Sequence, residues 1–278
     1  MSFAMRVVWI YFLMRKKLGL AKIGRPPRAP ARPSSKQLQG LTQSLEVIDG
    51  FNLYRIRPEK TMQTVVYLHG GGYVQPIAKQ HWDLITHLAR ETDSEFVVPC
   101  YGLSPTYKVD HALSFLEQVK GSLDFSKKTV LMGDSAGGGL ALALAQSSWT
   151  DIQSLVLISP WVDSEFGEET KIYEERDPWL SANSLRYIAT IWSGVGDFRR
   201  KEVSPLRGEL KKLPTTSIYA GDYELFYPDL QKLYSKMKDA GVSVTLHQQT
   251  GGLHVYPLIP SPEGNRALNQ LTLDLLAE

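Results

Sequence analysis

One cysteine, Cys100, serves all 278 residues, so no internal disulfide can form and nothing points to an oxidising compartment. It follows Val97-Val98-Pro99 on a strand that reads as buried, where a small thiol packs. No Cys/His cluster has metal-ligand spacing. His81 and His87, six apart, fall on different faces of one helix and read as ordinary helix residues. Internal repeats are missing, as is any basic stripe with interleaved aromatics on the body, so nucleic acid is not an expected partner. Long apolar runs are missing too. Val7-Val8-Trp9-Ile10-Tyr11-Phe12-Leu13-Met14 falls well short of the ~20 residues that cross a bilayer. It ends in Arg15-Lys16-Lys17 rather than in the small residues of a signal-peptide cleavage site. A cytoplasmic protein is expected.

Acid is absent from the first 36 residues, which hold nine Lys and Arg, whereas the rest of the chain is net −7. That asymmetry describes a basic arm on a mildly acidic body. Residues 1–22 read as a short helix, apolar nearly all round with a basic end. Three readings stay open: a cap helix over an active site, an interfacial anchor on an anionic membrane, or a disordered leader. Residues 25–33 are proline-rich and read as an extended linker. Residues 1–36 are therefore set apart as arm and linker from a single large domain over 37–278.

Within that domain, Leu45–Ile48 and Phe51–Ile56 flank Asp49-Gly50 and predict a hairpin with a type I′ turn. Buried strands are predicted at 64–68, 96–100, 129–132, 155–158, 216–220 and 242–246. Helices are predicted at 80–91, 110–122, 140–146, 228–240 and 263–276. Strand–helix alternation of this kind specifies an α/β fold, with a mostly parallel central sheet covered by helices on both faces. Residues 161–208 interrupt the rhythm with Trp161, Trp179 and Trp192 among charged segments. They read as a cap insertion.

What the chain does have is Gly133-Asp134-Ser135-Ala136-Gly137-Gly138 between a predicted strand and a helix. G-x-S-x-G in that setting is a nucleophile elbow. Small residues let the turn close around the serine, and the Ala136 N–H at the helix start points where an oxyanion would form. His69-Gly70-Gly71-Gly72 follows another strand and offers Gly71 and Gly72 N–H groups as further oxyanion donors. Serine needs a base, and the base needs an acid to orient it. Only His247 and His254 follow Ser135. His247 lies inside a strand, whereas His254 lies in the loop beyond it, where such sheets gather catalytic groups, so His254 is the expected base. Asp222 and Glu224, both in the preceding loop, are the candidate acids.

These motifs resemble the hormone-sensitive-lipase-like α/β-hydrolases, in their bacterial esterase branch, over about residues 60–278. His69-Gly70-Gly71-Gly72-Tyr73 and the elbow are similar to that family's signatures. Tyr101-Gly102-Leu103-Ser104-Pro105 is similar to its Tyr-Arg-Leu-Ala-Pro segment, with Gly102 for Arg and Ser104 for Ala. Ser159-Pro160-Trp161-Val162-Asp163, Asp177-Pro178-Trp179-Leu180-Ser181 and Ser204-Pro205-Leu206 also resemble its motifs. His254-Val255-Tyr256 departs from the usual His-Gly-Phe, and its bulk narrows the expected pocket. The resemblance implies the α/β-hydrolase fold, a helical cap, and no metal or organic cofactor. It also implies Glu224 as the acid, three residues after the loop Gly221 and thirty before His254, with Asp222 as a turn residue. His69, Tyr73, Asp134 and Tyr101, within or beside these motifs, are expected to touch substrate.

The expected activity is hydrolysis of short-acyl carboxylic esters by Ser135, His254 and Glu224 through an acyl-enzyme. Gly71, Gly72 and Ala136 form the oxyanion hole. The partner is a small-molecule ester. A weak membrane-surface contact through residues 1–22 and a homodimer are left open. An amidase or deacetylase would use the same groups. A non-catalytic receptor on this fold is disfavoured by the retained His254.

Overall fold

The computed structural model describes residues 1–17 and 29–277. β1 (Thr42–Ile48) and β2 (Phe51–Arg57) pair antiparallel, and Asp49 and Gly50 between them take φ of 51° and 79°, the two left-handed positions of a type I′ turn. β2 runs antiparallel to β4 (Ser94–Pro99). Beyond it, β3 (Gln63–Leu68), β5 (Thr129–Asp134), β6 (Ser154–Ile158), β7 (Thr215–Gly221) and β8 (Val244–Gln249) are parallel. The order across the sheet is β1-β2-β4-β3-β5-β6-β7-β8. Every residue of β3 and of β5 is buried, which is why these strands read as continuous apolar runs rather than as alternating ones.

Successive side chains of each strand feed opposite cores. Val66, Leu68, Leu131, Leu155 and Leu157 join the core that includes α3 (Val109–Gly121), α4 (Ser135–Ala145) and α7 (Tyr227–Asp239). Val65, Tyr67, Val130, Met132 and Val156 join the other, with α2 (Lys79–Glu91), α8 (Pro262–Leu276) and Met5 of α1 (Phe3–Lys17). Between β6 and β7 the chain adds α5 (Lys171–Arg176) and α6 (Ala182–Trp192) and no strand.

Several expected boundaries move, two of them for a clear local reason. α4 starts at Ser135 rather than five residues later, because Gly137, Gly138 and Gly139 are themselves helical. β8 starts at Val244 rather than Val242, whose N–H is still spent on the Met237 carbonyl at the end of α7. Residues 18–28 lie outside the described residues, and with them the end of the expected 1–22 helix and the start of the expected linker over 25–33. Within the described part of that stretch, Ala31 is tied down: its N–H donates to the Ile77 carbonyl at 3.0 Å, and its carbonyl accepts from Trp82 Nε1 at 2.8 Å. Among the described residues, no helix is long and apolar enough to cross a membrane.

Candidate active site

β5 ends at Asp134 and α4 begins at Ser135 with no residue between them. The turn is made by Ser135 itself, at φ 52°, a left-handed conformation that few side chains adopt. Gly137 lets it close. A Cβ there would overlap the Leu68 carbonyl oxygen at the end of β3.

The loops after β7 and β8 deliver two more side chains to this point. Ser135 Oγ lies 2.9 Å from His254 Nε2, and His254 Nδ1 lies 2.7 Å from Glu224 Oε2. A carboxylate only accepts, so Nδ1 carries the proton and Nε2 presents its lone pair to the Ser135 hydroxyl. Glu224 has no exposed surface. Its other oxygen accepts from the Gly221 N–H at 2.9 Å and from Ser159 Oγ at 3.0 Å. Burial pushes the Glu224 carboxyl above its ordinary value, against the opposing pull of His254 and of those two donors. Asp222 stands apart from His254 and accepts the Gly251 N–H at 2.6 Å, which ties the two loops together.

Ser159 carries no expected role in the sequence beyond its place in a family-like motif, yet it links this row together. Its Oγ accepts the Val255 N–H at 3.0 Å while donating to Glu224. Ser159 and Val255 both hold positive φ, 43° and 51°. For a β-branched residue such as Val255 that conformation is strained, and it lies directly after His254. The hints in the sequence are the motif that begins at Ser159 and the departure of Val255 from glycine.

Gly71 and Gly72 take φ of +118° and +61°, and among the described residues neither N–H has a protein acceptor. Gly71 must be glycine. A Cβ there would overlap the Gln75 carbonyl oxygen, which the tight turn brings against it. Ala136 N–H belongs to the first turn of α4, where no preceding carbonyl is available to it.

The sequence also offers His69, Tyr73, Asp134 and Tyr101 as substrate contacts. All are at most 2% exposed and engaged within the protein. Asp134 accepts from Tyr67 Oη at 2.6 Å and from the Gly70 N–H at 2.8 Å, and His81 Nε2 lies 3.4 Å from its second oxygen. Burial opposes ionisation of Asp134, but the attraction of His81 and the hydrogen bonds from His81, Tyr67 and Gly70 hold its pKa below the ordinary value. His69 donates from Nδ1 to the Gly70 carbonyl at 2.7 Å, and burial lowers its pKa to about 4, which keeps it neutral. Tyr101 stacks on His69 at 4.7 Å and donates to the His69 carbonyl at 2.6 Å. Tyr73 stacks on Trp192 at 4.3 Å. Through these contacts His69, Tyr101 and Asp134 frame the glycine loop. His81, read as an ordinary helix residue, caps α2 by accepting the Ala78 N–H and faces the elbow aspartate. His247 lies on β8 beside Asp274, 3.1 Å away, and takes no part in the row.

Above His254 sits Trp179, edge-on at 5.6 Å between ring centroids, with Phe226 edge-on at 5.1 Å. Asp177 carries Trp179 there. Its Oδ1 accepts the N–H groups of Trp179 and Leu180, and its Oδ2 accepts the Leu225 N–H beside Glu224. Phe12 of α1 lies flat on Trp179. No group of three or more His, Cys, Asp or Glu that could hold a metal ion occurs among the described residues.

Residues 65–258 match the family described as the alpha/beta hydrolase fold. LipR of Mycobacterium tuberculosis, provisionally named an acetyl-hydrolase, is 30% identical over 81% of this chain and 77% of its own length. An esterase of Acinetobacter venetianus is 28% identical over 74% of this chain and 72% of its own. The crystal structure of an esterase from the bacterial hormone-sensitive lipase family superposes with a TM-score of 0.80 at 24% identity, covering 99% of this chain and 98% of that one. At that identity the likeness speaks to the fold.

Proposed function

The chain belongs to the α/β-hydrolase family, alongside its hormone-sensitive-lipase-like esterases, and on that premise we propose that it hydrolyses short-acyl carboxylic esters by way of an acyl-enzyme. The observation that carries this reading is the single row of Ser135 Oγ, His254 and Glu224, in hydrogen-bond contact from end to end.

Ser135 Oγ attacks the acyl carbon as His254 Nε2 takes its proton. Glu224 stabilises the imidazolium through Nδ1–H and holds its tautomer. The N–H groups of Gly71, Gly72 and Ala136 receive the developing oxyanion. His254 then returns the proton to the leaving alcohol. Water, activated by the same nitrogen, releases the acid and restores Ser135. The framed loop supports this chemistry: Asp134 holds the Gly70 N–H, so the next two glycines start from a fixed point. α1 and residues 161–208 are read as the cap, with Phe12 and Trp179 closing over the base. The same crowding supports a preference for small acyl groups, since Ser135 is 8% exposed and His254 3%.

A panel of p-nitrophenyl esters tests this. Acetate and butyrate should exceed octanoate by about tenfold or more in kcat/KM, the size of effect a tight apolar pocket produces. p-Nitroacetanilide should be far slower than the acetate ester. No turnover of any ester would defeat the reading, and faster anilide than ester turnover would favour the amidase alternative.

A further inference from the structure

α1 is apolar on two faces, and the body covers only one. Met5 is fully buried, Val8 and Trp9 pack against the same core, and Phe12 lies on Trp179. On that inner side Trp9 Nε1 donates to the Arg176 carbonyl, and Lys16 Nζ donates to the carbonyls of Glu174, Asp177 and Leu180. Phe3, Val7, Ile10, Tyr11 and Met14 point the other way and leave 45–84% of their surface exposed. Their spacing is that of one helix face. At 3.6 residues per turn they fill an arc of about 100°. Arg6, exposed, borders that arc on one side, and Arg15 borders it on the other.

From this face we infer that α1 docks on an anionic lipid surface, with the five apolar side chains entering the headgroup–acyl boundary and the flanking arginines meeting lipid phosphates.

Three observations select a lipid over another protein. The first is charge: nine cations and no acid in residues 1–36 stand against a body of net −7, so an anionic surface attracts the arm, repels the rest, and thereby orients the molecule. The second is chemistry. An apolar stripe rimmed by arginine is what an interfacial helix presents. The third is size. The stripe runs only about 17 Å, far too small for the ~800 Å² per partner of a stable interface between two copies. Pairing two copies face to face would also set their arginines against each other. Nothing in this argument uses the chemistry at Ser135, so the two readings stand or fall separately.

The test is co-sedimentation of the intact protein with vesicles of phosphatidylcholine containing about a third phosphatidylglycerol, against phosphatidylcholine alone. The wild type should pellet with the anionic vesicles, and raising the salt should release it. I10S/M14S, which removes two exposed apolar side chains, and R6Q/R15Q, which removes the rim charges, should each weaken partitioning about tenfold or more. Their far-UV circular dichroism should match the wild type, which shows that the fold is kept. Hydrogen exchange of the wild type should slow in α1 when anionic vesicles are added, a readout that needs no variant. The inference is overturned if the wild type ignores anionic vesicles at low salt, if I10S/M14S binds them equally well, or if that variant instead dissolves a dimer seen in solution.

Discussion

Phe12 lies flat against Trp179, ring centroids 4.5 Å apart and planes 6° from parallel, so a residue of the first helix braces the indole that edges onto His254. Arm and base are thus joined through one aromatic stack.

That stack should hold the arm down measurably. An aromatic pair contributes about 0.5–1.5 kcal/mol beyond its buried area. Phe12→Ala or Trp179→Ala should therefore speed tryptic cleavage at Arg15 and Lys16 about three- to tenfold, in the regime where cleavage tracks local opening. Because both variants break the same contact, the double variant should add little to either single one. Additive effects would mean that the stack does not couple them.

Glu224→Gln should separate activity from stability. The amide can keep its oxygen on Gly221 and Ser159 and turn its NH₂ toward His254 Nδ1. That selects the tautomer whose Nε2 carries a proton and cannot accept from Ser135, so kcat should fall by a factor on the order of 10³–10⁴. Stability should move the other way. The folded-state carboxyl has a raised pKa, so its stabilising contribution is present below the unfolded value and is lost as pH rises through the folded one. Gln carries no such titration, so the melting temperature of the variant should gain on that of the wild type as pH rises. Asp222→Asn should cost about tenfold or less in kcat, through the loop tie to Gly251. A reversal of the two kinetic effects would make Asp222 the acid.

How far the sequence could be read depended on how local each signal was. The elbow and the His69–Gly72 loop were legible because a sharp turn between strand and helix admits only small residues at set spacings. The sheet was legible because parallel strands covered on both faces leave unbroken apolar runs. Asp222 and Glu224 share one loop, and only the resemblance separated them. In the folded chain one carboxylate meets Gly251 and the other His254. Ser159 and Trp179 lay in family-like motifs without a role, and His81 read as an ordinary helix residue, since each reaches the site from another element and no spacing rule joins them to it. His69, Tyr73, Asp134 and Tyr101, expected as substrate contacts, are all buried and engaged within the protein. Position beside a glycine loop says where the backbone passes, not which way a side chain points.

Asp134→Asn tests the frame. The Asp134 carboxylate satisfies Tyr67 Oη and the Gly70 N–H with one oxygen and faces His81 with the other. His81 accepts the Ala78 N–H at Nδ1, so its Nε2 is the protonated nitrogen, and an amide NH₂ would meet it donor to donor. The variant should lose about 2–4 kcal/mol in denaturant unfolding at pH 7. The wild-type pKa is depressed, so this contribution is present above the unfolded value and is lost as pH falls through the folded one. The stability gap between wild type and variant should therefore narrow on acidification. A gap that holds steady or widens toward low pH would contradict the ionised frame.

The central claim, that Ser135 attacks the acyl carbon, is met most directly by intact-protein mass spectrometry after reaction with a p-nitrophenyl organophosphonate, which stops at the covalent stage. The wild type should gain one phosphonyl group, mapped to the peptide carrying Ser135, as ester turnover disappears. Ser135→Ala should fold, take up no label and hydrolyse no ester. A label on another residue, or ester turnover in Ser135→Ala at the wild-type rate, would contradict the account.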